Sequence, residues 1–216
     1  KQTLTNGVQM MDRNLGALNV IPGNYQSHGL TYQWGRKDPF MGAIDHGKFV
    51  TMVPANAITI ESISDVNNNL QFCIQNPAVI VDNCEWNRST SLWDSKKTMY
   101  DPCPAGWRVP TGGENGVWAK ASANTDSFSH IYDTTTLGLD FSGIFGSDDV
   151  IFYPLSGHRD VSAKLQSVGS SCINWSCTTT YNTSVVVYRL YYSFFGLDLL
   201  EPGTRSNACS VRCCKE

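Results

Sequence analysis

The chain has 216 residues, 16% of them charged, eight cysteines and a formal net charge of −3 at pH 7. This length fits one domain with a sizeable core. The weak negative charge and scattered basic residues leave no surface for nucleic acid, and no apolar run reaches the roughly 18 residues that span a bilayer. The cysteine count indicates an oxidising compartment. Because the chain begins at Lys1, we expect the C-terminal part of a larger exported protein, at the cell surface or outside the cell.

The N-terminal half predicts a strand over residues 4–14, with a turn at Asn6 and Gly7. Apolar residues at helical spacing predict a helix over residues 64–75, and Pro77 ends it.

An aromatic segment, residues 29–40, lies between these elements. We expect Trp34 to belong to the core and Arg36 to clamp a carboxylate such as Asp38 or Asp101. The alternative is a binding site in which Trp34 stacks on a ligand beside Arg36.

The middle of the chain contains a proline-rich segment, YDPCPAGWRVPT, at residues 100–111. Each proline fixes its own backbone and pushes the preceding residue toward extended geometry. The segment therefore predicts a rigid, turned crosspiece that holds Cys103 in place for a disulfide. The spacing of Thr111 and Glu114 matches a capping box, which predicts a helix through Trp118 to Ala123.

The C-terminal half is predicted to be mostly strand. Residues 139–145 and 150–155 predict two strands. Residues 185–192 predict the clearest strand, because their side chains alternate between its two faces. Residues 209–216 also alternate, with Cys213 inward and Cys214 outward. We expect Cys213 to pair with Cys103, a bond that closes a loop of over a hundred residues and contributes roughly 4–5 kcal/mol.

Four motifs together resemble the Fibrobacter succinogenes major paralogous domain: MDRNLGA from Met11, GLTYQWGRKDPF from Gly29, the proline-rich segment, and SVRCCKE at the end. That family occurs in surface and secreted proteins of Bacteroidetes and their relatives, including pilus-tip-like adhesins. The resemblance implies a single α+β domain over residues 1–216 with a C-type-lectin-like fold. Such a fold has a twisted antiparallel sheet, two helices and long upper loops.

The resemblance also implies one long and one short disulfide. The long one is Cys103–Cys213, and the short one joins Cys209 to Cys172 or Cys177, with Cys177 as the working choice.

A local bridge between Cys73 and Cys84 is expected from their positions at the end of the first helix. Cys214 then pairs with the cysteine left over from the short bridge or stays free.

Catalytic chemistry finds little support in the sequence. There is no Gly-x-Ser-x-Gly motif, and His158, the best candidate for a base, is expected to be an ordinary strand-end histidine. The triplet at Glu201 resembles the Glu-Pro-Asn loop of calcium-dependent lectins, but Gly203 replaces the carboxamide ligand and Arg205 follows it. We therefore expect no metal, no cofactor and no enzymatic activity.

Formylglycine-generating enzymes share the superfamily fold and are the enzymatic alternative, which requires a reactive thiol.

What remains is recognition by the distal loops, residues 159–183 and 194–207. The candidate contacts are Trp175, Tyr181, Arg205 and Asn207, unless Trp175 is simply core. The leading hypothesis is a non-enzymatic cell-surface adhesion domain, such as a pilus tip, that binds a glycan or a host or microbial surface protein. The alternative is a structural module that joins other pilus subunits.

Overall fold

The computed structural model describes residues 1–4, 6–43, 59–61, 69–82, 92–122, 135–145, 147–180 and 186–216. The strands in these ranges are β1 (Gln2–Thr3), β2 (Gln9–Met10), β3 (Thr31–Gln33), β4 (Pro39–Phe40), β5 (Thr59–Glu61), β6 (Val79–Val81), β7 (Trp107–Arg108), β8 (Gly138–Asp140), β9 (Phe152–Pro154), β10 (His158–Arg159), β11 (Leu165–Gln166), β12 (Ser171–Thr179), β13 (Val186–Ser193), β14 (Gly196–Thr204), β15 (Ala208–Ser210) and β16 (Cys214–Lys215). The α-helices are α1 (Asn69–Gln75), α2 (Val117–Ala121) and α3 (Ser142–Phe145). The described chain is mostly β-sheet with short helices, as the predicted α+β class requires. None of its helices is long and apolar enough to cross a membrane.

A small antiparallel sheet brings both chain ends and the proline-rich segment together, in the order β1-β2-β16-β7. The turn between β1 and β2 falls at Asn6 and Gly7 as predicted, and the positive φ of Gly7 suits glycine. In β16, Cys214 pairs with Met10 on one side and with Arg108 on the other. This sheet therefore ties the first and last residues to the middle of the chain.

The disulfide between Cys103 and Cys213 is present, with the two Cα atoms 5.9 Å apart, which confirms that prediction. Asp101 fixes the cysteine segment, because its carboxylate accepts the backbone N–H groups of Cys103 at 2.8 Å and Val109 at 2.9 Å. Lys97 donates to the same carboxylate at 3.2 Å. The proline-rich segment is thus a braced crosspiece, as the sequence predicts.

The large sheet has the order β11-β10-β15-β12-β13-β14, and β3 and β4 join it through β15. Strand β13 confirms the clearest sequence prediction: Leu190 and Tyr192 enter one apolar core, whereas Val187 and Tyr191 lie in the other. Strand β12 is buried on both faces from Ser171 to Cys177 because a core lies on each side of it. The sheet is therefore an internal wall between two cores.

Three local predictions are wrong in detail. Helix α2 starts at Val117 after Gly116, which provides no side-chain cap, so the capping box at Thr111 is not formed. Residues 139–145 are divided between β8 and the short helix α3. Cys214 is fully buried rather than outward, because β16 lies between two other strands and its Cys214 face packs in the apolar core that contains Met10.

The predicted short disulfide is also wrong, because Cys172, Cys177 and Cys209 are all free thiols. The parallel pairing of Asn174 with Ser210 places Cys209 beside residue 173, so Cys172 points to the opposite face of β12. Cys177 lies on the same face of β12 as residue 173, the neighbour of Cys209. It is four residues further along the strand, which at 3.3 Å per residue is about 13 Å from Cys209. A disulfide requires Cα atoms within about 7 Å.

For the predicted local bridge, Cys84 lies outside the described residues. Its intended partner Cys73 is a buried free thiol.

Candidate functional site

Two of the four predicted contact residues are fully buried. Trp175 has no exposed surface, and its indole N–H donates to the carbonyl oxygen of Tyr32 at 2.8 Å. Arg205 is also fully buried, with its guanidinium 4.1 Å from the ring centre of Trp34. Neither side chain can touch a ligand in this structure, so both are core residues. The alternative, that Trp175 is a core residue, therefore fits the structure better.

The other two predicted contacts do not complete a site. Asn207 is half-buried at the turn before β15, where its N–H donates to Thr204. Tyr181 lies outside the described residues.

The pair Trp34 and Arg36 is structural. Trp34 is fully buried and donates its indole N–H to Ser176 at 2.9 Å. Arg36 is an internal clamp as predicted, but on backbone carbonyls instead of a carboxylate: it donates to Asn76 at 3.2 Å and to Pro77 at 3.1 Å. The guanidinium also reaches the carbonyl of Cys73 at 3.5 Å, in the last turn of α1, where helix geometry leaves acceptors without intrahelical donors. The guanidinium therefore holds the end of α1 and leaves no stacking site.

The segments predicted as recognition loops are largely sheet. Residues 171–179 form the central strand β12, and residues 196–204 form β14, the last strand in the order of the large sheet. What protrudes is the tight turn between β13 and β14, where Ser193 pairs with Gly196. Gly196 has φ 138°, a conformation that favours glycine.

This turn, which we call the aromatic tip, presents Phe194 and Phe195. Phe195 is 91% exposed and Phe194 is 67% exposed. Their rings lie edge to face with centres 5.8 Å apart. Adjacent exposed phenylalanines are unusual on a soluble surface, and clustered exposed apolar groups mark interaction sites.

The aromatic tip stands on a fixed base. The Ser193 hydroxyl accepts the N–H of Phe195 at 3.2 Å, which fixes the turn itself. Behind it, Leu197 and Leu199 pack against the core that contains Tyr192. The rings are therefore held out from the molecule by a strand pair whose inner side chains are buried.

The edge of β14 beside the tip is poorly suited to pairing with another strand. The N–H of Leu200 is occupied by the carboxylate of Asp198 at 2.7 Å. Pro202 has no N–H to donate. The opposite end of the sheet order is β11, only two residues long. Short strands, proline and charged side chains are devices that prevent edge-to-edge association.

The described thiols are poor nucleophiles. Burial raises the pKa of Cys172, Cys177 and Cys209 to about 12 each and that of Cys214 to about 11. Reactive cysteines instead have a lowered pKa and access to solvent.

The candidate base His158 and the candidate calcium ligand Glu201 are not arranged for catalysis or metal binding. Burial, assisted by the nearby Arg189, lowers the pKa of His158, so its imidazole is neutral at pH 7. Arg189 itself donates to Glu201 at 3.2 Å, so the carboxylate of the lectin-like triplet binds an arginine. Within the described ranges, no three His, Cys, Asp or Glu side chains group closely enough to hold a metal ion.

The buried thiols predict a loss of stability in alkali. Because burial raises the folded-state pKa above the ordinary thiol value of about 9, each thiol stabilises the fold fully below pH 9, and the contribution is lost as the pH rises toward 11–12. We expect the free energy of unfolding to fall between pH 9 and 11 by about 1.4 kcal/mol per thiol per pH unit. Urea unfolding at several pH values measures this slope. The Cys172→Ala/Cys177→Ala variant lacks two of the five described free thiols and should show about three fifths of the slope. An equal slope in both proteins would contradict the assignment.

A scan against protein-family models and searches of curated proteins and solved structures find no match to this chain.

Proposed function

We propose that this chain is a non-catalytic recognition domain of an exported cell-surface protein, and that it binds its partner through the aromatic tip. The observation that carries the proposal is the pair Phe194 and Phe195, which are highly exposed on a rigid hairpin. Loops and turns held by a rigid scaffold are where binding residues concentrate. The partner is a host or microbial surface protein, or a glycan.

The size of the tip suits an anchor in a larger contact. Burying one phenylalanine is worth about 1.5–3 kcal/mol, so the pair can supply about 3–6 kcal/mol. Aromatic anchors that fill a pocket commonly dominate interface energies. The rings offer no hydrogen-bonding groups of their own, which favours an apolar pocket on a protein over a sugar.

The proposed setting is that of the family resembled by the sequence motifs, with a C-type-lectin-like fold and adhesins at pilus tips as the closest functional parallel. Two features support this proposal: the long bridge from Cys103 to Cys213, and the pairing of β2 with β16, which joins the chain ends. A buried disulfide also favours an oxidising, extracellular location.

The two alternatives have weaker support. A structural pilus module that assembles by strand exchange needs an open edge, yet Asp198 and Pro202 obstruct that of β14. An oxidase of the formylglycine-generating type needs an accessible, low-pKa thiol, and the raised pKa of Cys209 opposes it.

Replacing both tip rings with serine tests the proposal. Binding of the Phe194→Ser/Phe195→Ser variant to arrays of extracellular proteins and glycans should fall at least a hundredfold relative to the unchanged chain, because about 3–6 kcal/mol of burial is lost. The matched control is Met99→Ser, which removes another exposed apolar side chain, 76% exposed. Equal binding by the variant and the unchanged chain would refute the aromatic tip as the site.

A further inference from the structure

A second apolar surface lies on the loop of residues 16–29, well separated in sequence from the aromatic tip. Leu18 is 74% exposed and Ile21 is 56% exposed, with Val20 and Tyr25 partly exposed beside them. From Asn14 to Gly35 the sequence contains no Asp, Glu, Lys or Arg. At the base of the loop, Arg13 and Asp12 neutralise each other in an ion pair at 2.7 Å. The loop is therefore an uncharged, aliphatic projection.

The stems of this loop are held close together. The N–H of Leu30 donates to the carbonyl oxygen of Leu15 at 3.0 Å. The N–H of Leu15 donates in turn to the carbonyl oxygen of Val211, two residues before the disulfide-bonded Cys213. A Cβ added at Gly29 would lie 2.7 Å from the carbonyl oxygen of Leu15, and one at Gly16 would lie 2.5 Å from the side chain of Leu30. The apolar side chains are thus presented by a loop whose shape the packing fixes.

Most backbone N–H groups of the loop have acceptors within the protein. Eight N–H groups have acceptors in the protein: those of residues 17, 18, 21, 23, 24, 26, 27 and 28. Pro22 has no N–H. The polar side chains also bond to each other, since Asn19 donates to Gln26 at 3.0 Å. Moving an unpaired backbone N–H group out of water costs free energy. This cost is small for the loop because most of its N–H groups already donate to acceptors in the protein.

We propose that the loop inserts Leu18, Val20 and Ile21 into the surface of an uncharged lipid bilayer. A protein interface of ordinary kind has a polar rim with hydrogen bonds, and this loop offers few free polar groups to form one. Tyr25, which is 39% exposed in the same loop, has the amphipathic ring that favours the membrane interface. The absence of basic residues in the loop and the net charge of −3 favour zwitterionic over anionic lipid. This inference does not rest on the aromatic tip.

Sedimentation with vesicles of phosphatidylcholine tests the proposal. The unchanged chain should bind these vesicles reversibly, and Leu18→Ser/Ile21→Ser should lower the partition coefficient at least tenfold, because burying one aliphatic side chain is worth roughly a factor of ten or more. Both side chains are exposed, so thermal unfolding of the variant should match that of the unchanged chain. The control variant Phe194→Ser/Phe195→Ser should keep its vesicle binding, which separates this surface from the proposed recognition site.

Three results would overturn the lipid assignment. They are no binding of the unchanged chain to phosphatidylcholine, equal binding by Leu18→Ser/Ile21→Ser, and binding that appears only with phosphatidylglycerol vesicles. The last result would show an electrostatic attachment that this uncharged loop cannot supply.

Discussion

Replacing Cys103 and Cys213 together with alanine is expected to lower the free energy of unfolding by about 4–5 kcal/mol. The bond spans 110 residues of sequence, so its loss releases a large loop-closure entropy to the unfolded chain. For a domain of this size the melting temperature should fall by about 10–20 °C, which calorimetry measures.

The control for this experiment is Cys172→Ala/Cys177→Ala, which also replaces two buried cysteines but breaks no bond. That variant loses packing and the weak hydrogen bond that Asn174 donates to the Cys172 sulfur, and it should be clearly more stable than the disulfide variant. If both double variants melted together, the disulfide would not be the main covalent support of the fold.

Trp175→Ala is expected to cost about 3–5 kcal/mol of stability, because it opens a large cavity in a core with no exposed surface. The change also leaves the carbonyl oxygen of Tyr32 without the indole N–H that it accepts. Trp175→Phe should recover much of the packing. Urea unfolding of the two variants gives the comparison.

The matched control is Phe195→Ala at the aromatic tip. This residue is 91% exposed, so its removal should change the free energy of unfolding by less than about 0.5 kcal/mol. An unchanged stability for Trp175→Ala would place Trp175 at the surface and would make it a candidate ligand contact.

The sequence predicts the framework well where chemistry or periodicity is local. Prolines around Cys103 predict a rigid segment, and the alternation in residues 185–192 predicts β13. Tertiary packing decides the rest. Cys214 alternates outward in the sequence, yet it is buried because β16 lies between two strands and Cys214 packs in one of the two cores.

The candidate site was harder to predict because exposure is a property of the whole fold. Residues 194–207 contain Pro202 and Gly203, which indicate a loop, although Leu197 and Leu199 already alternate as strand residues do. The proline and glycine signals therefore do not indicate the tight turn at Phe194 and Phe195. In the opposite direction, Trp175 looked like a contact residue only because the burial of β12 on both faces cannot be read from its sequence.

The most direct test of the Cys103–Cys213 disulfide is mass spectrometry of a non-reduced digest. The protein is denatured and alkylated without reduction before the digest. The account predicts one peptide pair that joins Cys103 to Cys213, with Cys172, Cys177, Cys209 and Cys214 all alkylated. A digest in which Cys103 is linked to any other cysteine, or is itself alkylated, would contradict it. In that case the crosspiece would not be fastened to the C-terminal segment that leads into β16.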